Sequence, residues 1–377
     1  MKRTRERLEQ ARQKVREYAG DLSVGEIRRL FDRDAVEAYE RLARDHAGRE
    51  PEEPFERSVH RLKVFFVGIS SKLSPARRVL FTLGVALVVW SVFDLIVDVT
   101  GDSDSPALLL LAALIFLFLF AMEVVDRLRV RDELEVAKEL QSGLLPEGAP
   151  RIGGYRFAHS YRTANEVGGD YYDFLPLPDG RLALVVGDAS GHGMAAGLLM
   201  AIANATLKTA LDVSPEPAQV LTILNRSLCR TGSRRAFMTL FYAVLTPEDG
   251  RLDYVCAGHP FPLLRRADGR IEELGRGGLP LGMKSDLDIR VLSTRLEPGD
   301  LLLLYSDGMV EAVSGDRGAF GFDRLRELLA TAASPRAVHD RIRTAFDRFL
   351  DGEPLTDDLT LVVLARDAVL PPPPAGD

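Results

Sequence analysis

Residues 168–193 read GGDYYDFLPLPDGRLALVVGDASGHG. Inside this stretch Phe174 to Leu177 and Leu182 to Gly187 have the composition of short strands, with turn formers between them. An acidic cluster flanks each end: Gly168-Gly169-Asp170-Tyr171-Tyr172-Asp173 and Gly187-Asp188-Ala189-Ser190-Gly191-His192-Gly193. Far downstream stand two more, Ser306-Asp307-Gly308 and Asp357-Asp358-Leu359-Thr360. Any one of them alone reads as an ordinary Asp-Gly turn whose side chain caps the backbone. Together they are four acidic clusters, each beside a strand-like run or a glycine turn, so the carboxylates of each are placed to reach the mouth of a sheet. Hard divalent cations need several oxygen ligands, and a site that keeps waters for chemistry draws its carboxylates from separate elements.

Around this stretch, Tyr155 to Ala158, Thr239 to Leu245, Leu252 to Cys256 and Leu301 to Tyr305 also read as strands. Met194 to Leu211 and Pro217 to Thr231 read as helices, and Phe322 to Leu350 as one or two more. Strands interleaved with long helices predict an α+β fold of stacked sheets flanked by helices.

The clusters, in this order, resemble the metal-dependent type-2C-like (PPM) protein phosphatases, in their bacterial SpoIIE/RsbU-like branch. The resemblance spans residues 130 to 366 and includes Leu140-Gln141-Ser142-Gly143-Leu144-Leu145-Pro146, Ala257-Gly258-His259-Pro260 and Gly278-Leu279-Pro280-Leu281-Gly282. It implies an αββα sandwich over residues 147–368 and a site for two ions, Mn²⁺ or Mg²⁺. The family match puts Asp188 on both metals, with the carbonyl of Ala189 and Asp170 on one of them and Asp173 acting through water. The second takes Asp307 and Asp357, with Asp358 either the ligand itself or its partner. The substrate it implies is a phosphorylated regulatory protein such as an anti-sigma-factor antagonist.

Asp188 and His192 are the candidate catalytic residues. A histidine near the metals suits general-acid work on the leaving serine or threonine oxygen. The wider type-2C pattern sets its acid histidine two positions after the bridging aspartate, whereas His192 stands four after Asp188, so loop packing is the competing reading. The arginine that grips phosphate in many type-2C enzymes has no clear counterpart. His259 reads as a turn residue. Cys229 and Cys256 are the chain's two cysteines. Neither opens the cysteine-to-arginine loop of a cysteine phosphatase; Cys229 to Arg234 is faintly similar but follows a helix.

The chain has 377 residues, 46% of them hydrophobic, and a net charge of -7. It is long enough for a catalytic domain with accessory parts and lacks the basic footprint of a nucleic-acid binder. Two separated cysteines form no zinc pattern and fit a reducing compartment. Val79 to Val99 and Ala107 to Val125 are apolar runs long enough to span a bilayer core, which argues for a hairpin in the lipid bilayer over a pair of buried helices. Lys63, Lys72, Arg77 and Arg78 precede the hairpin and Arg127, Arg129 and Arg131 follow it, while its loop carries Asp102 and Asp104. By the positive-inside rule both ends, and the catalytic domain, face the cytoplasm of a multi-pass protein of the cell (inner or plasma) membrane.

Residues 1–75 read as a charged, mostly helical region, and 369–377 as a disordered tail rich in proline. Phe65, Phe66 and Val67 beside Lys63 suit an interfacial helix leading into the membrane. Over 126–146, Val130, Leu134, Ala137, Gln141 and Leu144 fall at coiled-coil spacing, with Pro146 as the stop. Two readings stand for this linker: a seam that pairs two copies in a homodimer, or a helix docked on its own catalytic domain. The functional reading is a membrane-anchored phosphoserine/phosphothreonine protein phosphatase. Its rivals are a catalytically inactive phosphatase fold that binds a partner and a two-metal hydrolase of small phosphorylated molecules.

Overall fold

The computed structural model describes residues 54–97, 105–231, 236–331 and 334–368. The charged region up to residue 53, the loop carrying Asp102 and Asp104, Arg234 and the tail 369–377 lie outside the described residues. The chain divides into two compact units, Met1–Leu128 and Arg129–Asp377.

The first unit contains α1 (Pro54–Lys72), α2 (Pro75–Val97) and the start of α3 (Ser105–Ser142). Gly84 is where α2 lets α3 come close: a Cβ there would lie 3.1 Å from the Phe116 ring. Phe81 and Phe116 meet edge to face, with centroids 6.0 Å apart. Arg77, before the first apolar run, pairs with Asp126, after the second, at 2.5 Å. The two runs therefore form an antiparallel hairpin with its charged ends together. Large apolar side chains on both helices, among them Val79, Trp90, Ile96, Leu110, Leu117 and Phe120, are exposed. Among the described residues three helices are long and apolar enough to cross a membrane, by length and composition: α2, α3 and Met194–Val213.

The second unit is a four-layer sandwich. One sheet runs β1 (Tyr155–Arg162), β10 (Leu359–Arg366), β9 (Leu301–Tyr305), β6 (Leu263–Arg265), β7 (Ile271–Glu273). The other runs β2 (Asp170–Pro176), β3 (Leu182–Ala189), β4 (Met238–Thr246), β5 (Arg251–Ala257), β8 (Leu292–Arg295). All pairings are antiparallel. Because successive strand residues face opposite ways, Tyr172, Leu184, Val186 and Phe241 of one sheet meet Leu302, Leu304, Val362 and Leu364 of the other in the central core. Tyr171, Val185 and Tyr242 face outward onto α4 (Met194–Val213) and α5 (Pro217–Cys229). Leu303, Tyr305 and Val363 face α6 (Asp307–Glu311), α7 (Phe322–Ala330) and α8 (Pro335–Leu350) on the far side. The buried face of α4 explains its apolar composition within this unit: Ala196, Leu199, Met200, Ala203 and Leu207 pack on the sheet.

Several boundaries depart from the sequence reading. β2 starts at Asp170, before the Phe174 expected from side-chain type, because the acidic end is paired with β3 across its whole length. β6, β7 and β8 were not read from the sequence, nor was β10, which is buried at every position. The linker helix ends at Ser142, ahead of Pro146. Leu144 and Leu145 there turn into the core of the catalytic unit.

Candidate active site

The register of one antiparallel pair begins the site: Asp170 of β2 lies directly opposite Asp188 of β3. Both share the parity of Tyr172 and Val186, so both face the layer between the sheets, at its open end. Thr360 of β10 has the parity of Val362 and enters the same layer from the other sheet, where its hydroxyl donates to Asp170 Oδ2 at 2.6 Å. Ser306, between β9 and α6, receives the Thr360 N–H on its hydroxyl oxygen at 2.9 Å and donates to the Asp358 carbonyl at 3.2 Å. Asp307 follows as the first residue of α6. A side chain at Gly308 would collide with the Asp358 carbonyl, so only glycine lets α6 start against the 357–358 turn.

The two adjacent acids differ sharply. Asp358 is buried, and its carboxylate accepts the N–H of Ala164 at 2.8 Å and of Gly169 at 2.5 Å. Asp357 is exposed at the rim, with one oxygen capping the Asp358 N–H at 2.8 Å. The Ala189 carbonyl and Asp188 Oδ1 face the same space beside Gly169: a Cβ on that glycine would lie 2.8 Å and 3.0 Å from them. His192 is exposed in the loop after β3 and close enough to Asp357 for its charge to act on that carboxyl.

The acids perturb one another. Burial, then the charges of Asp170, Asp307, Asp357 and Asp358, push the Asp188 carboxyl up to about 9. Burial lifts Asp170 to about 8 against the opposing hydrogen bonds of Thr360 and Ser306. Burial followed by Asp357 and Glu311 lifts Asp307 to about 6. Desolvation also raises Asp357, opposed by the Asp358 backbone N–H, with the Asp358 charge adding to the rise and His192 opposing it. Carboxylates that disfavour one another's charge are a setting in which a cation is strongly favoured. The donor set is all oxygen, which suits Mg²⁺ or Mn²⁺ over softer metals. As the side chains stand, no three His, Cys, Asp or Glu groups among the described residues close into a ligand trio. The fit therefore lies in the donor chemistry, the shared charge and the close approach at Gly169.

Asp173 is a correction to the sequence reading. Three residues from Asp170 on a strand, it projects from the opposite face, under α4. There it is buried, accepts from the Tyr171 hydroxyl at 3.1 Å and faces Lys208 at 3.6 Å. Alternation along β2 keeps it out of the cluster. Gln141 is a second finding the spacing did not give. It is buried, donating through Nε2 to the Gly168 carbonyl at 2.6 Å and accepting the Gly168 N–H at 3.0 Å. Asn204 of α4 holds the Leu144 carbonyl at 3.1 Å. The end of the linker is thus docked on its own catalytic unit, while Val130, Val136 and Leu140 remain exposed.

Behind Asp188, its β4 partner Thr239 meets His259 Nδ1 at 3.0 Å. Burial lowers His259 to about 3, so the ring is neutral. Burial likewise pushes the Cys256 thiol up to about 12, and its S–H points at the His259 carbonyl at 3.1 Å. A thiol so placed is no nucleophile.

Residues 178–367 match the family described as Stage II sporulation protein E (SpoIIE). Phosphoserine phosphatase RsbU of Bacillus subtilis is 30% identical over 244 residues, covering 63% of this chain and 71% of that one. Protein IcfG of Synechocystis is 27% identical over 276 residues, covering 66% of this chain, which spans only 43% of IcfG. The SiaA-PP2C domain of Pseudomonas aeruginosa superposes with a TM-score of 0.56 at 22% identity, covering 64% of this chain and 99% of that domain. Motif order, layer order and these likenesses agree, and the chain belongs to the SpoIIE family.

Proposed function

We propose that this chain is a membrane-anchored, metal-dependent phosphoserine/phosphothreonine protein phosphatase. The observation that carries the reading is the convergence of Asp170, Asp188, Asp307 and Asp357, from four separate segments, on one end of the inter-sheet layer. Asp188 would serve two Mn²⁺ or Mg²⁺ ions, with Asp170 and the Ala189 carbonyl on one and Asp307 and Asp357 on the other. Such ions, when bound, polarise a phosphoryl group and make water a nucleophile near neutral pH.

The chain's own residues do the rest. Asp358 spends both carboxylate oxygens on the backbone of residues 164 and 169, so its role is to hold the Gly169-Asp170 turn against the Asp357 loop. Thr360 fixes the orientation of Asp170 by donating to one oxygen. His192, at the exposed rim beside Asp357, is placed to give a proton to a departing serine or threonine oxygen. The intact set of four acids argues against an inactive binding module.

The resemblance supplies the substrate class, a phosphorylated anti-sigma-factor antagonist. The exposed apolar surfaces of α2 and α3 and the Arg77–Asp126 closure of their charged ends support a two-helix anchor over residues 76–125, with the phosphatase domain over 147–368 in the cytoplasm. The exposed apolar residues of the linker suit a homodimer that pairs before Gln141. The test is Mn²⁺-dependent release of phosphate from a phosphoserine protein and from p-nitrophenyl phosphate, by the wild-type chain and by Asp188→Asn. Turnover should fall at least a hundredfold in the variant with the fold retained; wild-type turnover at saturating Mn²⁺ sinks the assignment.

A further inference from the structure

We propose that the Tyr161 hydroxyl is a positioning group for the metal-loaded site, bridging a water of the cation's hydration shell to Asp358. The inference rests on the metal-site reading above. Tyr161 of β1 sits opposite Thr360 of β10, so both side chains leave their strands toward the layer between the sheets. The Tyr161 ring is held there against Tyr172, with centroids 6.2 Å apart. Two hydroxyls from neighbouring strands therefore reach the acid cluster, and only one is used. That of Thr360 is committed to Asp170 at 2.6 Å. That of Tyr161 is shielded from solvent and has no hydrogen-bond partner among the described residues.

Its aim is fixed by Gly168. A Cβ on that glycine would collide with both Tyr161 Oη and Asp358 Oδ2, so the two oxygens border one small space next to the turn that carries Asp170. Asp358 already accepts two backbone N–H groups, yet each carboxylate oxygen keeps a free lone pair. A buried hydroxyl without a partner is unfavourable as it stands, and one that points into a cluster of acids marks a place where another polar group belongs. Hard divalent cations keep waters when few carboxylates hold them. Such a water, made a strong donor by the cation, would have Tyr161 Oη as its acceptor, leaving the phenolic proton free to turn toward Asp358. The ring's contact with Tyr172 holds the hydroxyl on the side of β1 that faces the acids.

The test is Tyr161→Phe in the full-length protein in detergent, which removes one oxygen and keeps the ring. Mn²⁺ affinity, measured by calorimetric titration and by the free-Mn²⁺ electron paramagnetic resonance signal, should fall about tenfold, the loss of one hydrogen bond made in the loaded state. In EDTA the variant should melt at or above the wild-type temperature, because an unsatisfied hydroxyl has been removed. Unchanged Mn²⁺ affinity overturns the proposal. So does a lower melting temperature in EDTA, which would make the hydroxyl part of the metal-free structure. Failure of the wild-type chain to bind Mn²⁺ would be a different result, since it defeats the metal-site reading itself and this inference with it.

Discussion

Replacing Gln141 by Ala tests how tightly the end of the linker is tied to the acid cluster. The Gln141 amide satisfies both backbone groups of Gly168, at 2.6 Å and 3.0 Å, in a buried position. Gly168 is two residues from Asp170 and next to Gly169, whose N–H is bound by Asp358. Truncation leaves a buried N–H and a buried carbonyl unpaired, at about 1–3 kcal/mol each, or roughly 2–6 kcal/mol against the 168–170 turn. The lower figure alone corresponds to about a thirtyfold change in an equilibrium. If that cost falls on ordering Asp170, the Mn²⁺ concentration for half-maximal hydrolysis of p-nitrophenyl phosphate should rise by about that factor, with activity recovered at high Mn²⁺. Gln141→Glu, which keeps an acceptor for the Gly168 N–H and loses the donor, should fall between the two. A Gln141→Ala protein with wild-type half-activation by Mn²⁺ refutes the coupling.

The adjacent acids should separate by readout. Asp357→Asn is expected to weaken Mn²⁺ activation at least tenfold with little change in melting temperature, whereas Asp358→Asn turns an amide N–H toward a backbone N–H and should cost about 2–4 kcal/mol of stability; the reverse pattern would exchange their roles. In EDTA, the folded-state carboxyls of Asp170 and Asp188 lie near 8 and 9, above an unfolded value near 4. The folded chain then holds protons that the unfolded chain has released, so this contribution is complete below about pH 4 and is lost as pH rises to about 9. Melting temperatures in EDTA that rise between pH 5 and 8 would contradict this, and Mn²⁺ should flatten the decline. Full-length protein should sediment with membranes and need detergent for extraction, while recovery in the soluble fraction would refute the two-helix anchor.

The sequence made the acids legible because each sits in a short, composition-biased turn that survives without any knowledge of pairing. Stacked sheets flanked by helices were legible from alternating strand and helix signals, and the αββα order from the family resemblance. Asp173 went wrong because its proximity to Asp170 in sequence says nothing about side: once β2 is known to start at Asp170, a spacing of three puts them on opposite faces. β10 was missed because LTLVVLAR is a continuous apolar run without alternation, buried on both faces. Gln141 fitted a heptad seam equally well, since periodicity cannot tell a partner helix from the protein's own Gly168. The Tyr161 hydroxyl left no local signal, and Ser306 was read only as part of its acidic turn, since the roles of both hydroxyls come from strands brought together across the sandwich.

The placement of Cys256 bears on how the protein behaves under oxidative stress. With its thiol pushed up to about 12 by burial and its S–H directed at a backbone carbonyl, Cys256 stays protonated near neutral pH, and it is the thiolate that peroxide and alkylating agents attack. A phosphoryl-transfer site assembled from carboxylates, with this sulfur sealed one strand away, has no step at Cys256 for such agents to block. Conditions that silence cysteine-dependent phosphatases would find no reactive thiolate at Cys256.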